Sequence, residues 1–299
     1  MATFPGDLVF QPEGQIQALA VAQVTFYFTR FDEAARLELA EGIRLCGELV
    51  AEHATYYRSE PMKRARPIKG DVVGPLAERV ASGPVARRYH LELHSGSDLM
   101  TVGPWAFAFG VTPSVLHAQA AYLSLSAPAA MLEDPTAFLD LVLSLANTTP
   151  YRSGHAGYGI GYNPGYVMRE RNEEIRAWCS RYRGLDASSP ATTAAYSNRH
   201  CKGVNWLTML DDDFCLELGG TEKIEQELGN TITLHQTKGG LALQAGHHPR
   251  LGDKNQQEDM AGYRRVNELV RPLRMPDLVG LPGMNRAEGL RWLARFDEP

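Results

Sequence analysis

The chain has few cysteines and lacks a hydrophobic run long enough to cross a membrane. Its 299 residues include 4 cysteines, Cys46, Cys179, Cys201 and Cys215, and no two of them form a CxxC pair. Their wide spacing argues against a disulfide framework or a zinc site and predicts reduced, partly buried thiols. The longest apolar stretch, residues 118–130, is interrupted by Ser and Pro and is too short for a bilayer.

The chain also lacks an excess of basic residues. Its net charge of −5 argues against direct binding of nucleic acid, which depends on a basic surface that displaces counterions. The first residues, MATFPGDLVFQPEG, carry acids where a secretory signal needs basic residues before an apolar block. We therefore expect a cytoplasmic protein that contacts neither membrane nor nucleic acid directly.

Recognisable catalytic motifs are missing as well. The glycine-rich stretch 154–161, GHAGYGIG, lacks the lysine of a phosphate-binding loop, and its glycine spacing does not fit a dinucleotide fingerprint. There is no G-x-S-x-G nucleophile elbow. His90 and His94 lie on one predicted strand, about 13 Å apart, which is too far for one metal ion. The sequence thus predicts no catalytic residue, no cofactor and no metal.

What the chain does have is alternation of apolar residues at strand and helix periods. Two-residue alternation and β-branched content predict strands, and apolar stripes at helical spacing predict helices. The predicted strands are residues 18–29, 88–94, 105–111, 119–126, 154–162, 204–210, 232–236 and 241–245. The predicted helices are residues 34–53, those following Asp134-Pro135, 170–182, 221–228, 260–270 and 286–295.

This order predicts an α+β protein with repeated β-α-β-β units, whose largely antiparallel sheets are covered by helices. The order occurs near the start and again near the end, without a fixed sequence period. We divide the chain into an N-terminal β-α-β-β subdomain, residues 1–117, and a C-terminal α+β subdomain, residues 118–299. One continuous globular unit is the alternative.

Charge is distributed unevenly along the chain. Residues 58–88 hold eight basic residues against three acids, and residues 205–230 hold seven acids against one lysine. Asp211, Asp212 and Asp213 form the densest acidic cluster, with Glu217 close behind. Their contiguous spacing does not fit an EF-hand loop. A solvated capping turn, a surface for a basic partner and a metal site all remain open for this cluster.

The segment 202–253 is rich in glycines that predict turns. Gly239 and Gly240 favour a two-residue hairpin turn with positive φ, and we expect Gly240→Val to misfold that hairpin. Gly246 and Gly252 follow in the same segment. Asp253 is a natural loop former whose side chain bonds to nearby backbone amides. Trp206 alternates with apolar residues along its strand, which favours a place in the core.

Several short motifs occur together in this order: RGLD at 183–186, KGVNWLTML at 202–210, LGG at 218–220, KGGLALQAG at 238–246, PRLGDKN at 249–255 and YRRVNELVRPLR at 263–274. On these motifs the chain resembles the bacterial type VI secretion immunity family. The resemblance is strongest across residues 183–274. It implies an antitoxin that neutralises a secreted nuclease effector of the VRR-NUC or restriction-endonuclease-like type, and a cognate toxin as protein partner.

An inhibitor of a nuclease can place its own carboxylates where the phosphates of the substrate would lie. Asp211, Asp212, Asp213 and Glu217 are the candidates for this role. Trp206 or Tyr263 could act as a buried anchor in the complex, against the alternative that both belong to the core.

The reverse arrangement is also open, with basic residues of the inhibitor engaging the metal-binding acids of the toxin. Lys63, Arg64 and Arg66 are the candidates for that arrangement.

Two other functions stay open from the sequence. The first is a small-molecule enzyme with a cleft near His247, His248 and Asp253, which predicts clustered titratable groups with shifted pKa values. The second is a regulatory scaffold that forms a homo-oligomer through the strand at residues 105–111.

Overall fold

The fold is built on one central strand. The computed structural model describes residues 8–83, 88–98, 100–112, 120–163, 168–187, 189–277 and 281–297. Strand β2 (Ala18–Phe28) is buried along its entire length. It pairs with a long strand on each side and also with a two-residue strand, and all three pairings are antiparallel. An 11-residue strand without an exposed position needs cover on both faces, so β2 dictates a layer on each side of the sheet.

The described strands form one antiparallel sheet, in the order β10-β11-β9-β8-β2-β7-β6-β5-β3-β4, with β1 paired to β2. The strands are β1 (Val9–Phe10), β2 (Ala18–Phe28), β3 (Tyr56–Ser59), β4 (Arg66–Pro67), β5 (Tyr89–His94), β6 (Ala106–Thr112), β7 (Ala120–Pro128), β8 (Ser153–Tyr162), β9 (Leu207–Asp211), β10 (Thr233–Thr237) and β11 (Gly240–Gln244). The sheet therefore runs without interruption through residues of both halves of the chain.

Helices cover one face of this sheet fully and the other only in part. They are α1 (Glu33–Ala51), α2 (Gly74–Ser82), α3 (Pro135–Thr148), α4 (Arg169–Arg181), α5 (Pro190–Ala194), α6 (Asp212–Glu217), α7 (Thr221–Leu228), α8 (Ala261–Val270) and α9 (Arg286–Leu293). Helix α1 packs against α2, α3, β5 and β6. Alternate residues of β2, such as Val24, Phe26 and Phe28, join α1 and α3 in the main core.

The other face of β2 is more polar. Its side chains there include Gln23 and Thr25, which are buried but hydrogen-bonded. The second half of the chain covers this face over β8, where His155, the register partner of Thr25, is buried against Asp186. Over β7, β6 and β5 the same face carries small and polar residues. One half of the sheet face is therefore covered, and the other half is open except where α5 packs against β7.

The predicted α+β class and the antiparallel sheet are confirmed. The described residues show one sheet and no repeated β-α-β-β unit. The predicted subdomain boundary at residues 117 and 118 lies within residues 113–119, outside the described part of the chain. The division into residues 1–117 and 118–299 stays a prediction.

The β10–β11 hairpin differs in detail from the prediction. Thr237 pairs with Gly240, so the two-residue turn consists of Lys238 and Gly239, and Gly240 opens β11. Of the two glycines, Gly240 is the one with positive φ, at 156°. A Cβ at Gly240 would overlap the Leu210 carbonyl oxygen, whereas a Cβ at Gly239 would meet nothing within 4 Å. Gly240 is therefore required by the close approach of β11 to β9.

A charged cluster at the sheet's covered face fixes the C-terminal half. The Asp186 carboxylate accepts a hydrogen bond from His155 Nε2, at 3.0 Å, and pairs with Lys202 Nζ. All three residues are buried. Burial opposes ionisation, but Lys202 and His155 outweigh it and hold the pKa of Asp186 well below its usual value.

Three of the sequence motifs meet at this cluster, and a fourth makes a separate ion pair. Asp186 ends the RGLD stretch and Lys202 begins the KGVNW stretch, so their ion pair joins the two. The Gly184 amide donates to the Leu251 carbonyl, at 2.8 Å, which joins RGLD to PRLGD. The Arg274 guanidinium pairs with Asp297, at 2.6 Å. These motifs therefore maintain the fold.

We expect Gly240→Val to lower the free energy of unfolding by at least about 2 kcal/mol, because the valine side chain would collide with the backbone of β9, the strand that pairs with β11. Gly239→Val is the matched control, since its site is open. Urea unfolding of both variants, followed by circular dichroism, measures the difference. Equal stability of the two variants would contradict the role assigned to Gly240.

We also expect stability to fall as the pH drops from 7.5 to 5.5. Burial, followed by the nearby Lys202 charge, lowers the pKa of His155. His155 therefore stays neutral in the folded state, while in the unfolded state it takes up a proton below about pH 6.5. Because the unfolded state binds the extra proton, acidification costs up to roughly 1.4 kcal/mol per pH unit from this group.

His155→Gln keeps a hydrogen-bond donor for Asp186 but removes the titration. Urea unfolding at both pH values should show a shallower loss of stability in this variant. The loss will not vanish, because burial also lowers the pKa of His94. Identical pH slopes for wild type and variant would rule out His155 as a source of the acid sensitivity.

Candidate functional site

The predicted acidic turn is the N-terminus of a short helix, α6. Asp211 ends β9 and caps α6, and its Oδ1 accepts a hydrogen bond from the Phe214 amide at 2.9 Å. Phe214 and Cys215 are buried and hold the helix against the sheet. The three aspartates therefore have different structural roles: Asp211 is the cap, and Asp212 and Asp213 form the first helical turn.

Arg152 ties this turn to β8. Its Nη1 lies 2.8 Å from Asp211 Oδ2 and 2.9 Å from Asp213 Oδ2. Its guanidinium also lies over the Phe214 ring, 3.9 Å from the centroid. Burial raises the pKa of Asp211, although the Phe214 amide and Arg152 act in the opposite direction. Asp211 is thus largely committed to the fold.

The outward side of α6 is an exposed acidic surface. Asp212, Asp213 and Glu217 are exposed, with the Asp213 side chain at 79%. Leu216 lies between them in sequence and is 73% exposed, which is unusual for a large apolar side chain in this protein. We call these four residues the acidic face. Its carboxylates surround an apolar contact point, a combination found at the anchors of protein interfaces.

The two aromatic anchor candidates lie in the core. Trp206 is 0% exposed and Tyr263 is 1% exposed. Trp206 Nε1 donates to the Gly246 carbonyl at 2.8 Å, and the Tyr263 hydroxyl accepts from the Arg250 amide at 3.0 Å. Both polar groups are used internally, so neither side chain is available to a partner in this structure. The core alternative holds for both.

The residues of the enzyme alternative do not form a catalytic group. His247 and His248 are exposed. Asp253 is buried, and its carboxylate pairs with Arg181, at 2.7 Å, and accepts from the Asn255 amide. The Gly252 amide donates to Glu258 Oε2 at 2.8 Å, so the turn at 252–253 is held by internal bonds. These contacts make the segment a structural loop.

The structure also shows a cleft that the sequence did not reveal. It has a volume of about 1010 Å³ and lies on the open half of the sheet face. The pairing register places one row of side chains across its floor and wall, Ser124, Ala108, Glu92 and Arg58, with Gln23 of β2 beside Ser124. We call it the open-face cleft. Finding it requires the register of five strands, which single-strand periodicity does not supply.

The wall of the open-face cleft is a charged network. Arg58 Nε donates to Glu92 Oε2 at 2.8 Å, and His90 Nε2 lies 3.4 Å from Glu92 Oε1. Although burial acts against it, His90 and Arg58 hold the pKa of Glu92 below its usual value. In the sequence, this wall corresponds to the alternation of polar and apolar residues in β5 (YHLELH), which places two histidines and one glutamate on a single face.

Two of the three basic candidates lie at the rim of this cleft. Lys63 and Arg64 line it and are exposed, whereas Arg66 belongs to β4 and does not line it. Strand β6, proposed for self-association, lies between β5 and β7. Its edges are therefore both occupied, and it cannot pair with a second copy as an edge strand. Homo-oligomerisation by another surface stays untested.

The described residues contain no group of three or more His, Cys, Asp or Glu side chains arranged to hold a metal ion. Within the same described ranges, none of the helices combines the length and apolarity required to span a bilayer.

Comparison with known proteins identifies the family. Residues 29–296 match the model of TsiV, described as type VI immunity for VRR-NUC. No curated protein matches the chain. Among solved structures, the Pseudomonas aeruginosa T6SS protein PA0821 is similar, with a TM-score of 0.82 and 21% sequence identity. The similarity covers 98% of this chain and 88% of that one. At that identity the likeness shows the shared fold, while the family match spans most of the chain. This chain therefore belongs to the TsiV family of type VI immunity proteins for VRR-NUC effectors.

Proposed function

We propose that this protein binds its cognate VRR-NUC effector and neutralises it by covering the active or DNA-binding surface of the nuclease, without bond-making chemistry of its own. The observation that carries this proposal is the acidic face. A nuclease surface that binds phosphates is basic, and Asp212, Asp213 and Glu217 offer it carboxylates in place of the substrate. The proposal places the protein in the cytoplasm, where the injected nuclease reaches DNA.

The acidic face suits this role because most of its carboxylates form no ion pair within the described part of the fold. Asp212 and Glu217 have no ion-pair partner among the residues that the structure describes, and Asp213 shares Arg152 with the capping Asp211. The exposed Leu216 supplies apolar area that a partner can bury. Complementary charge raises the rate of association, and buried apolar anchors slow dissociation. A standard interface would bury roughly 1,600 Å² in total.

The first test is co-expression with the VRR-NUC nuclease encoded beside this gene. We expect the chain to rescue growth and to co-purify with a catalytically inactive form of that nuclease. Purified protein that turns over a substrate, and does not bind the nuclease, would overturn the proposal.

The second test reverses charge on the acidic face. Asp212→Lys/Asp213→Lys should slow association with the inactive nuclease by at least about tenfold at low salt, because electrostatic steering is lost. Asp211 is left intact because it caps α6. Glu222→Lys/Glu225→Lys is the matched control: it makes the same charge change on the exposed side of α7.

Stopped-flow kinetics at several salt concentrations provide the measurement. Wild type should lose association rate as salt increases, and the Asp212/Asp213 variant should lose much less. Equal slowing by the α6 and α7 variants would mean that net charge, and not the acidic face, governs the encounter.

A further inference from the structure

The open-face cleft has no role in the proposal above, yet it is a large concave surface. Its floor is made by β6 and β7, and its rim by the loop at residues 60–65 and by residues 101–103 and 189–191. Its volume of about 1010 Å³ is at the upper end of the range for ligand pockets. An antiparallel sheet can leave one face exposed to solvent, but a concave face of this size is typical of a binding site.

The floor is shaped by small side chains. Ala106, Ala108 and Gly110 follow one another along the open face of β6, opposite Ser126, Ser124 and Tyr122 of β7. A Cβ at Gly110 would lie 2.6 Å from the Tyr122 ring, so the Tyr122 side chain leans over the floor and requires glycine there. Small residues on the floor let an incoming group approach the sheet closely.

The interior of the cleft mixes apolar side chains, such as Val21 and Ile160, with polar ones. Ser124 and Gln23 line it, and both contact the buried Thr25: Ser124 Oγ lies 2.9 Å from Thr25 Oγ1, and Gln23 Nε2 donates to Thr25 at 3.3 Å. Hydroxyl and amide groups of this kind can hydrogen-bond to the backbone and polar side chains of a protein segment.

The excess of basic residues in the cleft favours a ligand that carries carboxylates. Its lining contains four basic residues, Arg58, Lys63, Arg64 and Arg88, and two acids, Glu60 and Glu92. Arg58 and Glu92 neutralise each other, at 2.6 Å. Lys63, Arg64 and Arg88 are exposed, and no carboxylate of the described ranges forms an ion pair with any of them. Three cations at the rim therefore remain available against one acid, Glu60.

We propose that the open-face cleft receives an acidic segment of the VRR-NUC effector, whose carboxylates pair with Lys63, Arg64 and Arg88. This inference rests on the proposed function and adds a second contact of opposite charge to the acidic face. A partner that presents a basic patch to one surface and an acidic segment to the other can dock in only one orientation, because the reversed arrangement sets like charges against each other.

The test compares two charge reversals in the same segment. Lys63→Glu/Arg64→Glu should weaken binding of the inactive nuclease by at least about tenfold. Arg66→Glu/Lys69→Glu changes the net charge equally, at exposed residues that do not line the cleft, and should weaken binding by no more than about threefold. Isothermal titration calorimetry gives both affinities, with circular dichroism to verify the fold.

Two further readouts test the location. Ala108→Phe fills the floor without a change of charge and should also weaken binding. Hydrogen exchange on wild-type protein should show backbone amides of residues 62–65 slowed in the complex, and this measurement is independent of whether the Ala108 variant folds.

The outcomes separate the two proposals. If wild-type protein does not bind the nuclease, the proposed function fails. If wild type binds, and both charge reversals weaken it equally or residues 62–65 show no protection, the cleft proposal alone is overturned. Loss of affinity confined to Lys63→Glu/Arg64→Glu, with protection of residues 62–65, supports it.

Discussion

The ionised Asp186 carboxylate is the constraint on which the arrangement of the second half of the chain depends. A buried carboxylate must have cationic or hydrogen-bonding partners, and breaking such a pair typically costs about 3–5 kcal/mol. Lys202 and His155 supply them, one from the segment before β9 and one from β8. Satisfying Asp186 therefore holds the segment around it against β8, on the polar face of the sheet. The described residues show no comparably buried ion pair over β7, β6 and β5, where the open-face cleft forms.

The same constraint explains why the most recognisable motifs hold the fold together. RGLD, KGVNW and PRLGD meet through the Asp186–Lys202 pair and the hydrogen bond that the Gly184 amide donates to the Leu251 carbonyl. The charged and glycine residues of these motifs hold one segment of the chain against another. By contrast, Asp212, Glu217, Lys63 and Arg64 are exposed and make no ion pair within the described ranges. The motifs that carry the family resemblance and the exposed charges that we propose as contacts thus lie on different residues of this chain.

Local chemistry made most elements predictable. Asp32 and Asp134 cap the starts of α1 and α3, and each accepts a hydrogen bond from the amide three residues further on. Helix α7 coincides with its predicted range of 221–228. The sequence did not predict α6, because three contiguous aspartates resemble a solvated turn until the burial of Phe214 and Cys215 is known. Strand order and the cleft were also out of reach, since both depend on pairings between residues such as Thr25 and Ser124, 99 positions apart.

The structural residues and the exposed charged residues can be substituted with different consequences. A substitution at Asp186 or Gly240 disturbs a buried ion pair or the pairing of β11 with β9. A substitution at Lys63 or Asp212 removes only an exposed charge, which usually changes stability by less than about 0.5 kcal/mol. The two surfaces with opposite charge can therefore be altered one at a time without loss of the fold. Under the proposed function, exposed charges determine the match to an effector, and they can change while the Asp186 cluster keeps the second half of the chain folded.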